Sequence, residues 1–89
     1  MSNCSKHKKE VAGISDMKEL AEMIGDLHYE TLDILMDNLA VKIFKDAIKD
    51  REGGRVKLCT ALQNASLYMQ KSRRYIDEAW KISKPFMQK

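Results

Sequence analysis

The chain has 89 residues, 44% of them hydrophobic and 33% charged, with a formal net charge of +3. This balance is typical of one small globular domain and excludes a disordered chain. No apolar run reaches the roughly 18–20 residues of a transmembrane helix, and the N-terminus lacks a signal-peptide pattern, so we expect a cytoplasmic protein with no membrane partner. The two cysteines, Cys4 and Cys59, are too few for a disulfide framework, which suits a reducing compartment.

The charges are strongly segregated along the chain. Residues 11–37 carry one lysine and seven acids, a net charge of −6, whereas residues 51–89 carry nine Lys and Arg against three acids, a net charge of +6. Such asymmetry indicates either a basic surface for phosphates or two antiparallel helices of opposite charge. We favour the second interpretation.

The first predicted element is a bent helix over residues 16–51, preceded by a basic N-terminal arm over residues 1–14. Asp16 suits an N-cap, and Glu19 three residues later completes a capping-box pattern. Apolar residues then recur at the spacing of one helix face: Met17, Leu20, Ala21 and Ile24. Gly25 shifts this phase and weakens a helix interior, so we expect a bend or short break at Gly25-Asp26.

The second predicted element is a helix over residues 55–84, which follows a hairpin tip at Gly53-Gly54. Its apolar stripe is spaced alternately four and three apart, as in a heptad pattern. Because a proline disfavours helix in the residue before it, we expect the helix to stop ahead of Pro85 and Phe86-Met87 to turn back onto a neighbour. No segment alternates with a strand period.

The expected fold is all-α: one domain over residues 1–89, with a short N-terminal helix followed by a long antiparallel helical hairpin. A lone hairpin covers one side of each helix, and a chain this short has a thin core. Apolar residues outside the main seam therefore predict a homo-oligomer, and they include Leu27, Met36, Phe44, Leu67, Met69 and Trp80.

Enzymatic chemistry has little support in the sequence. Neither histidine lies in a recognisable nucleophile motif, and there is no Gly-rich phosphate loop. The carboxylate pairs Asp26/Glu30 and Asp33/Asp37 are typical of a solvated acidic face. Cys4 and His7 have a C-x-x-H spacing, but nothing clusters further ligands with them. We therefore expect no catalytic residues, no metal site and no cofactor.

Phosphate binding is better motivated, because cations recur in the N-terminal tail and in the last third of the chain. They include Lys6, Lys8, Lys9, Arg73, Arg74, Lys81 and Lys84. His28 and Tyr29, beside the Gly25 bend, add an imidazole and a ring able to stack on a base. The alternative is that Tyr29 packs in the core and the cations only maintain solubility. No DNA binding is expected, because no turn places a short recognition helix after another.

Short motifs at both ends of the chain resemble those of a known family. The small phage anti-CBASS sponges, which share a helical hairpin with some anti-Thoeris sponges, open with a pattern like H-K-x-x-x-G-Y-R-D-L and end in A-I-x-x-P. The matching residues, with one extra residue before the glycine, are His7, Lys8, Gly13, Asp16, Met17, Lys81, Ile82 and Pro85.

Two departures from the family pattern concern ligand contacts. Ile14 stands where the family has a tyrosine that stacks on a base, and Ser15 stands where it has an arginine. Tyr29 falls close to a ligand-contacting lysine of the family. The resemblance implies a homo-oligomer, typically a hexamer, that binds cyclic di- or trinucleotide messengers without cleaving them. The competing hypothesis is a small helical module or regulator that docks on a protein partner.

The predicted ligand site combines the N-terminal segment with the region after Gly25. We expect the bend to fold the arm back, so that five residues line the site jointly: Lys8, Gly13, Ser15, His28 and Tyr29. The N-terminus of the first helix would add its backbone N–H groups to a phosphate site. Arg73, Arg74 and Lys81 complete the set of candidate ligand-binding residues.

Overall fold

The computed structural model describes residues 7–87, and within that range it contains three α-helices and no strand. They are α1 (Met17–Gly25), α2 (Tyr29–Glu52) and α3 (Val56–Met87). Extensive packing between elements, within the described residues, is confined to α2 and α3. The predicted all-α class and the antiparallel hairpin are confirmed.

Helix α1 begins where the capping pattern predicts. The Asp16 carboxylate accepts a hydrogen bond from the backbone N–H of Glu19 at 2.7 Å. The Glu19 carboxylate reaches back one residue further than in a standard capping box, and accepts from the backbone N–H of Ser15 at 3.1 Å and from the Ser15 hydroxyl. The hydroxyl contact, followed by the backbone contact, lowers the pKa of Glu19.

Replacing Asp16 with alanine is expected to destabilise α1 by about 1 kcal/mol, because the N–H of Glu19 loses its acceptor. Hydrogen exchange followed by NMR should show faster exchange for the amides of the first turn of α1, with unchanged protection in α2. Asp16→Asn keeps the acceptor and is the matched control. Equal protection in the alanine and asparagine variants would show that the cap contributes nothing.

Residues 26–28 separate α1 from α2, so the predicted 16–51 element is two helices. The backbone N–H of Asp26 closes α1 on the carbonyl of Glu22, and His28 caps α2 by accepting from the N–H of Glu30 at 3.2 Å. The break at Gly25-Asp26 agrees with the prediction, whereas the histidine cap is an addition. The predicted single bent helix is therefore two helices, each with its own cap.

The hairpin tip is formed by Gly53 and Gly54, as predicted. Gly54 has a φ of 84°, a left-handed conformation that favours glycine. The Arg55 side chain folds back onto the buried Asp50 carboxylate, with 2.8 Å between Nε and Oδ1, and the Arg55 N–H donates to the Asp50 carbonyl. These contacts fix the reversal from α2 to α3.

Small residues line the closest approach of α2 and α3. Ala40 and Ala47 are completely buried and Cys59 nearly so, while no large side chain in the described chain is fully buried. The buried Ser66 hydroxyl donates to the carbonyl of Ala40 at 2.8 Å. Small side chains let the two backbones come close, and the hydroxyl satisfies a carbonyl at the contact.

Helix α3 continues through Pro85 to Met87, so the predicted stop before Pro85 is wrong. Proline removes one N–H donor, which here would have bonded to the carbonyl of Lys81. Only the last helical turn is affected, and the helix ends two residues later. Phe86 is 75% exposed and does not fold back onto the chain.

Much of the apolar surface of the hairpin remains open. The molecule measures 53 × 29 × 14 Å, and the shortest dimension is close to one helix diameter. Of the apolar residues assigned outside the seam, Phe44 and Leu67 are exposed, whereas Leu27, Met36, Met69 and Trp80 are half-buried. Within residues 7–87, no helix combines the length and the apolar composition needed to cross a membrane.

Candidate aromatic and cationic site at the open end of the hairpin

His28 and Trp80 form an aromatic pair where α3 runs past the start of α2. The His28 and Trp80 rings meet at 4.4 Å between centroids, with 64° between their planes. Because His28 immediately precedes α2, the last two turns of α3 extend beyond the first residue of α2. We call the residues His28, Tyr29, Trp80 and Lys84 the open-end site.

His28 performs two structural tasks in this site. Its Nδ1 accepts the hydrogen bond from the N–H of Glu30, and its ring edge packs on Trp80. With Nδ1 as the acceptor, a neutral imidazole carries its proton on Nε2, which is then a donor. The ring is therefore held in one orientation by the cap and the indole together.

Lysines bring positive charge to the same end. The Nζ atom of Lys84 lies 5.9 Å from the centroid of the Trp80 ring, within the range of a cation–π contact. Lys81 lies one turn earlier and pairs with Asp77 at 3.0 Å on the surface. Tyr29, adjacent to His28, is 37% exposed. The open-end site thus combines ring surfaces with a cation at a helix N-terminus.

Arg73 serves the hairpin rather than an open surface. Its Nη1 is 2.8 Å from the Asp33 carboxylate, and its Nε donates to Gln70 Oε1 at 2.8 Å. Gln70 in turn donates to the Asp37 carboxylate at 2.8 Å. This network links α2 to α3 and fixes their register. The acidic and basic halves of the chain meet here, in agreement with the favoured interpretation of the charge segregation.

Arg74 differs from its neighbour. It lies beside a shallow recess on α3 that is also lined by Lys71, Tyr75 and Glu78. Among the ion pairs of residues 7–87, none involves Arg74. Of the four cations that the sequence predicts for phosphate binding in α3, Arg73 and Lys81 have carboxylate partners, whereas Arg74 and Lys84 have none within residues 7–87.

The N-terminal residues of the predicted site make local contacts within the described chain. Gly13 takes a φ of 82° in a turn where the N–H of Ile14 donates to the carbonyl of Val11, and Ser15 is held by Glu19. These roles are local, and the exposed Lys8 precedes the turn.

The pKa of Asp46 is influenced by residues of α2 and by one residue of the arm, His7. The pKa of Asp46 is lowered, first by a hydrogen bond from Lys42 and, to a smaller extent, by the charges of Lys42, His7 and Lys49. No ion pair or ring contact within residues 7–87 joins Lys8 to Tyr29, and their place in one ligand site stays a prediction.

The remaining predictions concern the first residues of the chain, the cysteines and metal binding. Cys4, Ser5 and Lys6 lie outside the described residues. Within residues 7–87, no three His, Cys, Asp or Glu side chains form a group that could hold a metal ion. Cys59 is buried and free of disulfide bonding.

Trp80 was not predicted as a site residue, and Lys84 was named only among the cations for phosphate, without a place in the site. Their spacing of four on α3 places them on one helix face, which is a detectable signal. Their proximity to His28 depends on the register between α2 and α3, which the sequence alone does not supply. Trp80 was instead assigned to the apolar surplus.

Comparison with protein-family models, with curated proteins and with solved structures gives no match to this chain.

Proposed function

We propose that this protein binds cyclic di- or trinucleotide second messengers as a homo-oligomer and holds them without cleavage. In the setting that the sequence resemblance implies, a phage protein in the host cytoplasm would thereby withhold the messenger from a defence effector. The observation that carries the proposal is the open-end site, where His28, Trp80 and Lys84 lie together.

The chemistry of these side chains suits a cyclic nucleotide. Aromatic rings such as Trp80 and Tyr29 offer flat surfaces for bases, and stacking of this kind tolerates different bases. Lys84 supplies a charge for a phosphodiester. The N-terminus of α2 favours an anion because the helix dipole is positive there, although the Glu30 N–H is already bonded to His28. The Nε2 of His28 adds a hydrogen-bond donor.

Self-association is supported by the apolar surface of the hairpin. A single layer of two helices leaves large side chains in water, and copies that pack together would remove them from it. The exposed apolar residues of α2 and α3 include Ile34, Leu35, Leu39, Val41, Phe44, Leu58 and Leu67. We propose that copies associate through such residues, and the resemblance suggests a hexamer.

The structural roles of three candidate acid–base side chains support ligand binding without hydrolysis. His28 is engaged as a cap and by Trp80, and the carboxylates Asp33 and Asp37 belong to the interhelical network. Imidazoles and carboxylates are the usual general acids and bases, and these three are held in structural contacts. Sequestration requires only binding and a sufficient number of copies.

A thermal-shift screen with cyclic di- and trinucleotides tests this function. A ligand at a hundredfold excess over its Kd is expected to stabilise the folded state by about 2.7 kcal/mol. The ligand should be recovered intact by chromatography after incubation. Hydrolysis by pure protein would contradict sequestration, and the absence of any shift would contradict binding.

Lys84→Gln is expected to weaken the binding of a cyclic nucleotide about tenfold, because the phosphate loses a charged partner. Lys45→Gln removes the same charge from an exposed position of α2 and is the matched control. Trp80→Phe keeps a ring and should retain binding within a few fold. If calorimetry shows equal weakening by the Lys84 and Lys45 variants, the ligand does not bind at the open-end site.

The alternative function is a helical module that docks on a protein partner. The same exposed apolar surface favours it, because a partner helix would cover these side chains as well as a second copy would. A monomer mass by light scattering, together with no response to any cyclic nucleotide, would favour this alternative.

A further inference from the structure

The outer side of α3 carries a second group of rings and cations. Tyr68 and Tyr75 are 64% and 73% exposed, and Lys71 and Arg74 lie between them in the sequence. We call these four residues the outer ridge. Ser66, Gln70 and Arg73 contact α2. Helical spacing places Tyr68, Lys71 and Tyr75 on the opposite side, with Arg74 on its flank.

The cations of the outer ridge are available to a ligand. Lys71 has its Nζ atom 5.1 Å from the centroid of the Tyr68 ring, and no ion pair within residues 7–87 involves Lys71 or Arg74. A shallow recess is lined by Lys71, Arg74, Tyr75 and Glu78. All four side chains of the outer ridge are exposed, so two rings and two cations are accessible to the same ligand.

We propose that the outer ridge binds single-stranded nucleic acid. Bases stack on Tyr75 and Tyr68, and Arg74 and Lys71 pair with the phosphates. Proteins that hold unpaired strands combine aromatic platforms and basic side chains in this way. The ridge is separate from the open-end site, so this inference does not depend on the proposed function.

The shape of the surface favours a strand over a compact ligand. Tyr68 and Tyr75 are two helical turns apart, about 10.5 Å along the axis, so one ligand must present bases to both. A small-molecule site encloses most of its ligand, whereas this recess is an open surface on one helix. An extended strand can lie along such a ridge without being enclosed.

Unpaired bases are required because stacking on the tyrosines uses the faces of the bases. In a duplex these faces are already stacked on neighbouring base pairs, and a protein reaches only the groove edges. Glu78, the single acid in the recess, is a suitable acceptor for a base amino group. The ridge therefore selects single strands. This proposal differs from the sequence-based expectation of no DNA binding, which considered only a recognition helix for a duplex groove.

Fluorescence anisotropy with labelled oligo(dT) and oligo(U) of about 12 nucleotides tests the proposal, and a duplex of equal length serves as the comparison. Tyr75→Ala is expected to weaken strand binding about tenfold, and Tyr75→Phe should restore most of it. Arg74→Gln should lower the salt dependence of binding by about one phosphate contact. Lys45→Gln removes an equal charge from α2 and should change binding little.

Several results would overturn the proposal. Equal weakening by the Arg74 and Lys45 variants would show attraction by net charge alone. If Tyr75→Ala binds the strand like the wild type, bases do not stack on Tyr75. If the duplex binds as tightly as the strand, the ridge does not select single strands. If Tyr75→Ala lowers the mass measured by light scattering, the ring belongs to an interface between copies and not to a strand site.

Discussion

Replacing Ala40 with leucine is expected to lower the free energy of unfolding by about 2–3 kcal/mol. Ala40 is completely buried where α2 and α3 approach most closely, and its carbonyl accepts the Ser66 hydroxyl. A larger side chain must push the helices apart or adopt a strained rotamer, and either change lengthens that hydrogen bond. Urea denaturation at fixed protein concentration measures the effect.

Ala61→Leu is the matched control for this substitution. Ala61 is on the same hairpin but exposed, so the same added volume should change stability by no more than about 0.5 kcal/mol. Similar losses in the two variants would mean that helix propensity, and not packing at Ala40, determines the result. A stable Ala40→Leu protein would contradict the close approach of the helices.

Replacing Arg73 with methionine is expected to lower the free energy of unfolding by about 2 kcal/mol. The substitution removes a charged hydrogen bond to Asp33 and a second bond to Gln70, and it leaves the partly buried Asp33 carboxylate without its cation. Methionine keeps much of the side-chain volume, so the loss reports on the polar contacts. Asp33→Asn and the double variant complete a mutant cycle that isolates the coupling.

Lys81→Met is the corresponding surface control. Lys81 pairs with Asp77 four residues earlier on one helix, with both side chains more exposed than Arg73 and Asp33. A pair of this kind contributes about 0.3–0.5 kcal/mol. If the two methionine variants lose equal stability, the interhelical network has no special role in fixing the register.

Local features of the fold were predictable from the sequence because they depend on neighbouring residues. Asp16 and Glu19 identify the start of α1, and the glycines at 53 and 54 identify the hairpin tip. The predicted end of α3 before Pro85 was wrong because a proline near a helix C-terminus removes only one hydrogen bond. The same proline is much more unfavourable in a helix interior, where it usually ends or kinks the helix.

The candidate site was less predictable because it depends on contacts across the hairpin. His28 and Tyr29 were selected from their place beside Gly25, but the pairing of His28 with Trp80 requires the register between α2 and α3. That register is fixed by Arg73, which sequence analysis had assigned to a ligand. Composition alone does not distinguish a cation that holds two helices together from one that faces solvent, as Arg74 does.

The path of the N-terminal arm shows the same limit. The break after Gly25 is predicted by the sequence and is present, and Gly13 lies in a turn. Neither feature determines by itself which part of α2 the arm approaches.

The central claim is that an oligomer of this chain holds a cyclic nucleotide intact. Native mass spectrometry of the full chain, with cyclic di- and trinucleotides added, tests it most directly. The account predicts an oligomer whose mass includes bound ligand, and a ligand of unchanged mass after release. A monomer that carries no ligand at concentrations well above the Kd of a second-messenger receptor would contradict it.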